Sequence, residues 1–347
     1  MIKKQNSIKH MKKITLLLSL AVFIYACGAC QNKNADTKTA DVTDFAKTIT
    51  AAALKDALYT YASDDFEGRK TGEPGQKKAI EFIKKHYQDN GITSPIADGD
   101  YFQEIPEAFF NGKANGGSEN VLAYIKGSEK PDEVIIISAH LDHIGISKNG
   151  KINNGADDDG SGTVAILEIA KAFKTAADAG QGPKRSILFL HVTGEEIGLF
   201  GSKYYAEVDP VFPLENTVAD LNIDMIGRVD PAHEGKDNYV YLIGSDKLSK
   251  ELHNLSEEVN KKYINLDLDY TYNDENDPNR FYYRSDHYNF AKNNIPVIFY
   301  FNGVHDDYHQ PSDTPDKINY EFLETRARLV FYTAWELANS KQRIKVD

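Results

Sequence analysis

The 347-residue chain has only two cysteines, one tryptophan and three methionines. Both cysteines, Cys27 and Cys30, sit in the stretch IYACGAC near the start, so nothing beyond residue 30 can build a disulfide framework or a thiolate zinc site. Any metal held by the rest of the chain must be bound by His, Asp and Glu. The early apolar run ITLLLSLAVFIYA is too short to span a bilayer comfortably. Excess positive charge is also lacking: 52 acidic against 40 basic residues give a formal net charge of −12, which argues against a nucleic-acid partner. What is present, 41% hydrophobic and 27% charged residues, is an ordinary globular mixture able to bury a sizeable core.

Five lysines (Lys3, Lys4, Lys9, Lys12, Lys13) precede the apolar run, and residues 1–26 read as an export signal. Ile24 and Ala26 ahead of Cys27 resemble a bacterial lipoprotein cleavage box. That resemblance implies Cys27 as the acylated first residue, with Cys30 as fallback, and an exported protein, periplasmic or associated with the outer membrane. An ordinary cleaved signal peptide is the alternative. Removing the signal takes the formal charge to −17. The polar stretch QNKNADTKTADVTD then reads as part of a flexible tether over 27–45, and one domain is expected over 46–347.

PGQKKAIEFIKKHYQDNG places Ile80, Ile83 and Tyr87 at helical spacing, with Gly91 as a stop. From residue 120 short apolar runs alternate with helical segments: NVLAYIKG, EVIIISAH, a helix from about Ser161, SILFLHVT, a helix near Leu199, TVADLNIDM and YVYLIG. A helix near 246–262, the strand PVIFYF and a final helix from about Tyr320 to Ala338 follow. This alternation predicts a three-layer α/β/α sandwich around a mixed, mostly parallel sheet, with VIIIS and ILFLHV as buried central strands. Residues 229–284 carry no assignable motif and are a candidate specificity wall.

Chemistry collects where the strands end. HLDH follows EVIIISA, GADDDGSG opens a helix, GEE follows SILFLHVT, Asp224 ends TVADLNI, and NGVHDDYHQPSD follows PVIFYF. Ligands bind outside the carboxyl ends of strands in such sheets. A lone strand-end Asp is commonly a helix cap, and His191, inside an apolar strand, reads as a core histidine. Converging carboxylates, however, repel unless a cation neutralises them. Imidazole and carboxylate without thiolate suit Zn²⁺. His140, Asp158, Glu196, Asp224 and His309 are five candidates where one catalytic zinc needs three, which fits two zincs sharing a bridging carboxylate. One glutamate of the Glu195–Glu196 pair can then hold metal while its neighbour moves a proton.

The ordered set AHLDH, GADDDGSG, TGEEIGLFGS, NIDMIGR and YHQPSDTPDKI resembles the co-catalytic dizinc aminopeptidases, a family with leucyl aminopeptidases and glutamate carboxypeptidase, on a fold shared with glutaminyl cyclases. The resemblance covers roughly residues 50–340 and leaves no room for a protease-associated domain before His140. It implies His140 and Asp224 on one zinc, Glu196 and His309 on the other, Asp158 as bridge, and Glu195 as general base. Asp157 and Asp159 would shape the loop. Asp142 would orient His140, as ligating imidazoles give their second N–H to a carboxylate. Tyr308 matches a position that hydrogen-bonds the oxyanion in some members. His305 competes with His309, and Arg284 is either a substrate contact or an ion-pair partner of Asp286.

The implied activity is removal of N-terminal residues from peptides with a free N-terminus. Alternatives are a carboxypeptidase, a single-zinc glutaminyl cyclase, and a binding protein without catalysis.

Overall fold

A computed structural model describes residues 40–347. The export segment, Cys27, Cys30 and most of the expected tether lie outside the described residues. The folded unit is Val42–Asp347. Its first helix, α1 (Val42–Ala46), buries Phe45 and Ala46, so the ordered body begins inside the stretch expected to be tether.

One eight-stranded sheet organises the molecule: β1 (Phe102–Ile105), β2 (Ser118–Ile125), β3 (Lys130–His140), β4 (Arg185–Val192), β5 (Thr217–Ile223), β6 (Tyr239–Ile243), β7 (Asp267–Asp269) and β8 (Val297–Phe301). Their spatial order is β1-β2-β4-β3-β5-β8-β6-β7. The middle four, β4-β3-β5-β8, pair in parallel, while β1, β2 and β6 join antiparallel. All four middle strands therefore end at the same edge of the sheet.

The middle strands lack polar alternation because helices cover both faces. On one side lie α2 (Ala51–Tyr61), α3 (Pro74–Asp89), α4 (Gly162–Asp178), α6 (Lys250–Val259) and α8 (Tyr320–Asn339). On the other, α5 (Phe200–Glu207) and α7 (His287–Ala291) bring Tyr205, Ala206, Phe290 and Ala291 against Val134, Ile136, Leu188, Leu190 and Val297. The sandwich expected from the strand–helix alternation is thus the observed fold, and every β4 residue is buried. In α3 the predicted face, Ile80, Ile83 and Tyr87, is buried, and Gly91 takes the left-handed φ of +64° that stops the helix. Among the described residues no helix is long and apolar enough to cross a membrane.

Candidate metal centre

His140 is the last residue of β3, Glu195 and Glu196 follow β4, Asp224 follows β5, and His309 lies in the loop after β8. Asp158 comes from the turn that opens α4. Parallel pairing of adjacent strands carries these separate sequence positions to one edge.

Asp158 is central. Its Oδ1 lies 3.1 Å from His140 Nε2, and its Oδ2 lies 3.1 Å from His309 Nε2. His140 Nε2 is also 3.6 Å from Asp224 Oδ1, and His309 Nε2 is 3.1 Å from Glu196 Oε2. The two oxygens of one carboxylate thus face the two sets that the sequence separates. Within the triplet Asp157–Asp158–Asp159 the neighbours are engaged otherwise. Asp159 accepts hydrogen bonds from the backbone amides of His140, Gly162 and Met225. Asp157 accepts from the Gly227 amide at 2.7 Å and faces His305 Nε2 at 3.0 Å, so His305 is directed away from His309's partners. The Asp158–Asp159 peptide is cis.

Supporting residues fix these loops. Arg69, wholly buried, donates to the carbonyls of Leu141, Tyr61, Asn154 and Gly155, tying the loop after His140 to the one before Asp158. Gly155, at φ +55°, must be glycine: a Cβ there would meet the Asp158 carbonyl oxygen at 2.2 Å. Asp313 accepts the Asp157 and Asp158 amides. After β4, Gly201 closes the turn, since a Cβ would lie 2.3 Å from the Thr193 carbonyl oxygen. Glu195 and Glu196 consequently sit in a turn ahead of α5 rather than in its first helical turn.

The expected part of Asp142 needs correction. His140 Nδ1 contacts the backbone carbonyl of Asp142 at 2.9 Å, while the carboxylate is 3.8 Å away. That carboxylate accepts from the Thr71 hydroxyl at 2.6 Å and from the Glu195 amide at 3.2 Å. Asp142 therefore orients the imidazole through its main chain and the glutamate turn through its side chain. Arg284 is also corrected in part: among the described residues it forms no ion pair, and Asp286 is buried against Ser202 instead. The Arg284 guanidinium lies 4.9 Å over the Phe281 ring.

The charges are strongly mutual. Burial, the negative charge of Glu196 and that of Asp224 push the Glu195 carboxyl well above the ordinary range, against the pull of His140. Glu196 goes down: burial and Asp158 would raise it, but His143 and His309 outweigh them. Asp158 is held well below its usual value despite burial, by His140, His143 and His309. Burial would lower His309, yet Asp158 and Glu196 bring it up to about 10.

The donor set fits a metal. His140, Asp158, Glu196 and His143 are buried with imidazole and carboxylate atoms turned toward one another, and His143 Nε2 has no hydrogen-bond partner, an arrangement that a cation would satisfy. Ligand atoms of His140, Asp159 and Asp224, and separately of His143, Asp158 and Glu196, lie within 4.8 Å of one another. His143 is the residue that sequence reading passed over. Its only signal is a second imidazole three residues after His140 in a strand-end loop.

Beside the two sets opens a cavity of about 30 Å³, lined by Asp158, Glu195 and Asp224 and walled by Met225, Phe281, Phe299, Phe301 and Val304, with Tyr308 and Arg284 at its side. Tyr308 stacks on His309, ring centroids 3.8 Å apart.

Four parallel strands of a mixed sheet thus gather imidazoles and carboxylates in two adjoining sets at one edge of an α/β/α sandwich, a candidate metal centre. Residues 120–334 match the Peptidase family M28, and the chain belongs to that family. It is 27% identical over 300 residues to leupeptin-inactivating enzyme 1 of Streptomyces exfoliatus, covering 81% of this chain and 59% of that protein. It is 27% identical over 236 residues to leucine aminopeptidase 1 of Sclerotinia sclerotiorum, covering 66% of this chain and 58% of the relative. The chain thus spans somewhat under two thirds of these relatives' lengths. Its fold is also similar to that of a glutaminyl cyclase from Porphyromonas gingivalis, with a TM-score of 0.63 at 18% identity over 82% of this chain and 97% of that one.

Proposed function

We propose that the chain is a zinc-dependent aminopeptidase. It would hydrolyse the first peptide bond of substrates with a free N-terminus, using two zinc ions held by His140, Asp158, Glu196, Asp224 and His309. The observation that carries this reading is the pair of imidazole–carboxylate sets meeting at the two oxygens of Asp158, with Glu195 beside them but outside both. What zinc supplies when bound is a lowered pKa for water and polarisation of the scissile carbonyl.

The chain's own residues would do the rest. Glu195, its Oε2 4.0 Å from His140 Nε2 and its amide fixed by Asp142, accepts the proton of the attacking water and returns it to the leaving amine. The carboxylates around the cavity suit an α-ammonium, while Met225, Phe281, Phe299 and Phe301 suit an apolar first side chain. Tyr308 is available to donate from its hydroxyl to the developing oxyanion. The fold alone serves cyclisation as well as hydrolysis; two donor sets rather than one favour hydrolysis.

The test uses an unblocked leucyl anilide, its N-acetylated form and a glutaminyl peptide, each with and without chelator. Chelator-sensitive release from the unblocked anilide alone is expected, whereas cyclisation of the glutaminyl peptide without cleavage overturns the reading. We also propose export and lipid attachment at Cys27; a Cys27→Ser chain that still fractionates with membranes rules this out.

A further inference from the structure

We propose that His143 is an additional imidazole ligand in the half of the centre formed by Glu196 and His309, so that the two ions are held unequally. The proposal rests on the dizinc reading above.

Buried histidines in this fold are otherwise accounted for. His191 meets the Tyr87 hydroxyl at 2.6 Å, His305 meets Asp157, and His233 lies between Asp230 at 2.8 Å and Asp269 at 3.2 Å. His287 stacks on Phe299 and, among the described residues, no carboxylate comes within ion-pair reach, as befits a core ring. His143 combines complete burial, a ring Nε2 without a partner and two carboxylates in front of its Nδ1. Its Nδ1 is 2.7 Å from Glu196 Oε1 and 3.8 Å from Asp158 Oδ2. Those carboxylates also face His309, and the two imidazoles lie 5.9 Å apart at 66°.

Counting Asp158 on both sides, one half offers His143, His309, Glu196 and Asp158, four protein donors. The other offers His140, Asp224 and Asp158, three. Four donors close a zinc site, whereas three leave a position open. The substrate cavity is lined by Asp158, Asp224 and Glu195, and neither His143 nor Glu196 reaches it. The three-donor half thus faces substrate, while the four-donor half has the larger protein donor set.

The direct measurement loads the full folded chain, labelled with ¹⁵N at histidine, with ¹¹³Cd and counts the imidazole nitrogens coupled to each ion. Two on one cadmium, including His143, and one on the other are expected. One on each overturns the proposal while leaving a dimetal enzyme intact. Binding of no ion at all overturns the function proposed above together with this inference. In zinc competition against a chromophoric chelator, His143→Ala should weaken one site by about 10- to 100-fold and leave the other within about threefold. Full recovery of affinity by His143→Gln would show that His143 merely hydrogen-bonds Glu196, and would refute ligation.

Discussion

Glu195 and Glu196 are adjacent in sequence, yet their surroundings divide them. Glu196 faces His143 at 2.7 Å and His309 at 3.1 Å, whereas among the described residues Glu195 has no imidazole closer than His140 at 4.0 Å. Consecutive side chains in a tight turn diverge, so one can enter a donor set while the other stays outside it, free for the proton-transfer role proposed above. Glu195→Gln preserves size and removes only the proton-accepting charge. Zinc content should stay at the wild-type level and kcat should fall by about 10²- to 10⁴-fold, the ordinary range for a positioned acid–base group. Glu196→Ala should lose zinc as well. Metal analysis beside steady-state kinetics checks both, and a Glu195→Gln enzyme of normal turnover would disprove the division of roles.

At the scale of elements, four parallel strands supply the chemistry and a less regular segment supplies the wall. Phe281 and Arg284 reach the cavity from the turns after β7, beside Phe299 and Phe301 at the end of β8 and Val304 just beyond. Val304 is half-buried and lies beyond the last residue of β8, so enlarging it narrows the cavity without disturbing the sheet. Val304→Trp should lower kcat/KM for leucyl substrates relative to alanyl ones by about tenfold, of the order expected when a pocket changes by a methylene or more, with zinc content unchanged. An unaltered ratio would move the pocket elsewhere. The alternation of apolar runs made β3, β4, β5 and β8 legible because strands covered on both faces need no polar residues. Strand ends then located the charged clusters. β1, α1 and α2 left no clear pattern, being short or peripheral. His143 was illegible for another reason: a loop has no period, so sequence cannot say toward which carboxylates an imidazole turns. Asp142 shows the same limit, since which of its oxygens meets His140 depends on backbone direction.

Across the whole molecule, the interior contains imidazoles that the fold keeps neutral. Burial, reinforced by nearby His86, lowers His191 to about 3, and burial lowers His287 to about 3. Both would titrate near 6.5 once unfolded. Below that value the unfolded chain binds protons that the native chain refuses, so stability is complete above pH 6.5 and is lost as pH falls toward about 3. At pH 5 each group is about 1.5 units below its unfolded pKa, and the pair together costs about 4 kcal/mol. Buried carboxyls such as Asp286 and Asp313, raised to about 7 and about 6, chiefly by burial, act in the opposite sense, so urea unfolding at pH 7.5 and pH 5, with excess chelator, isolates the histidine contribution as the difference between the wild-type chain and a histidine variant. His287→Phe keeps a ring between Tyr282 and Phe299 and removes one titrating group, so its stability should fall by about 2 kcal/mol less than that of the wild-type chain between the two pH values. An unchanged pH slope in that variant would mean that His287 takes up a proton in the folded chain, against its aromatic and uncharged surroundings.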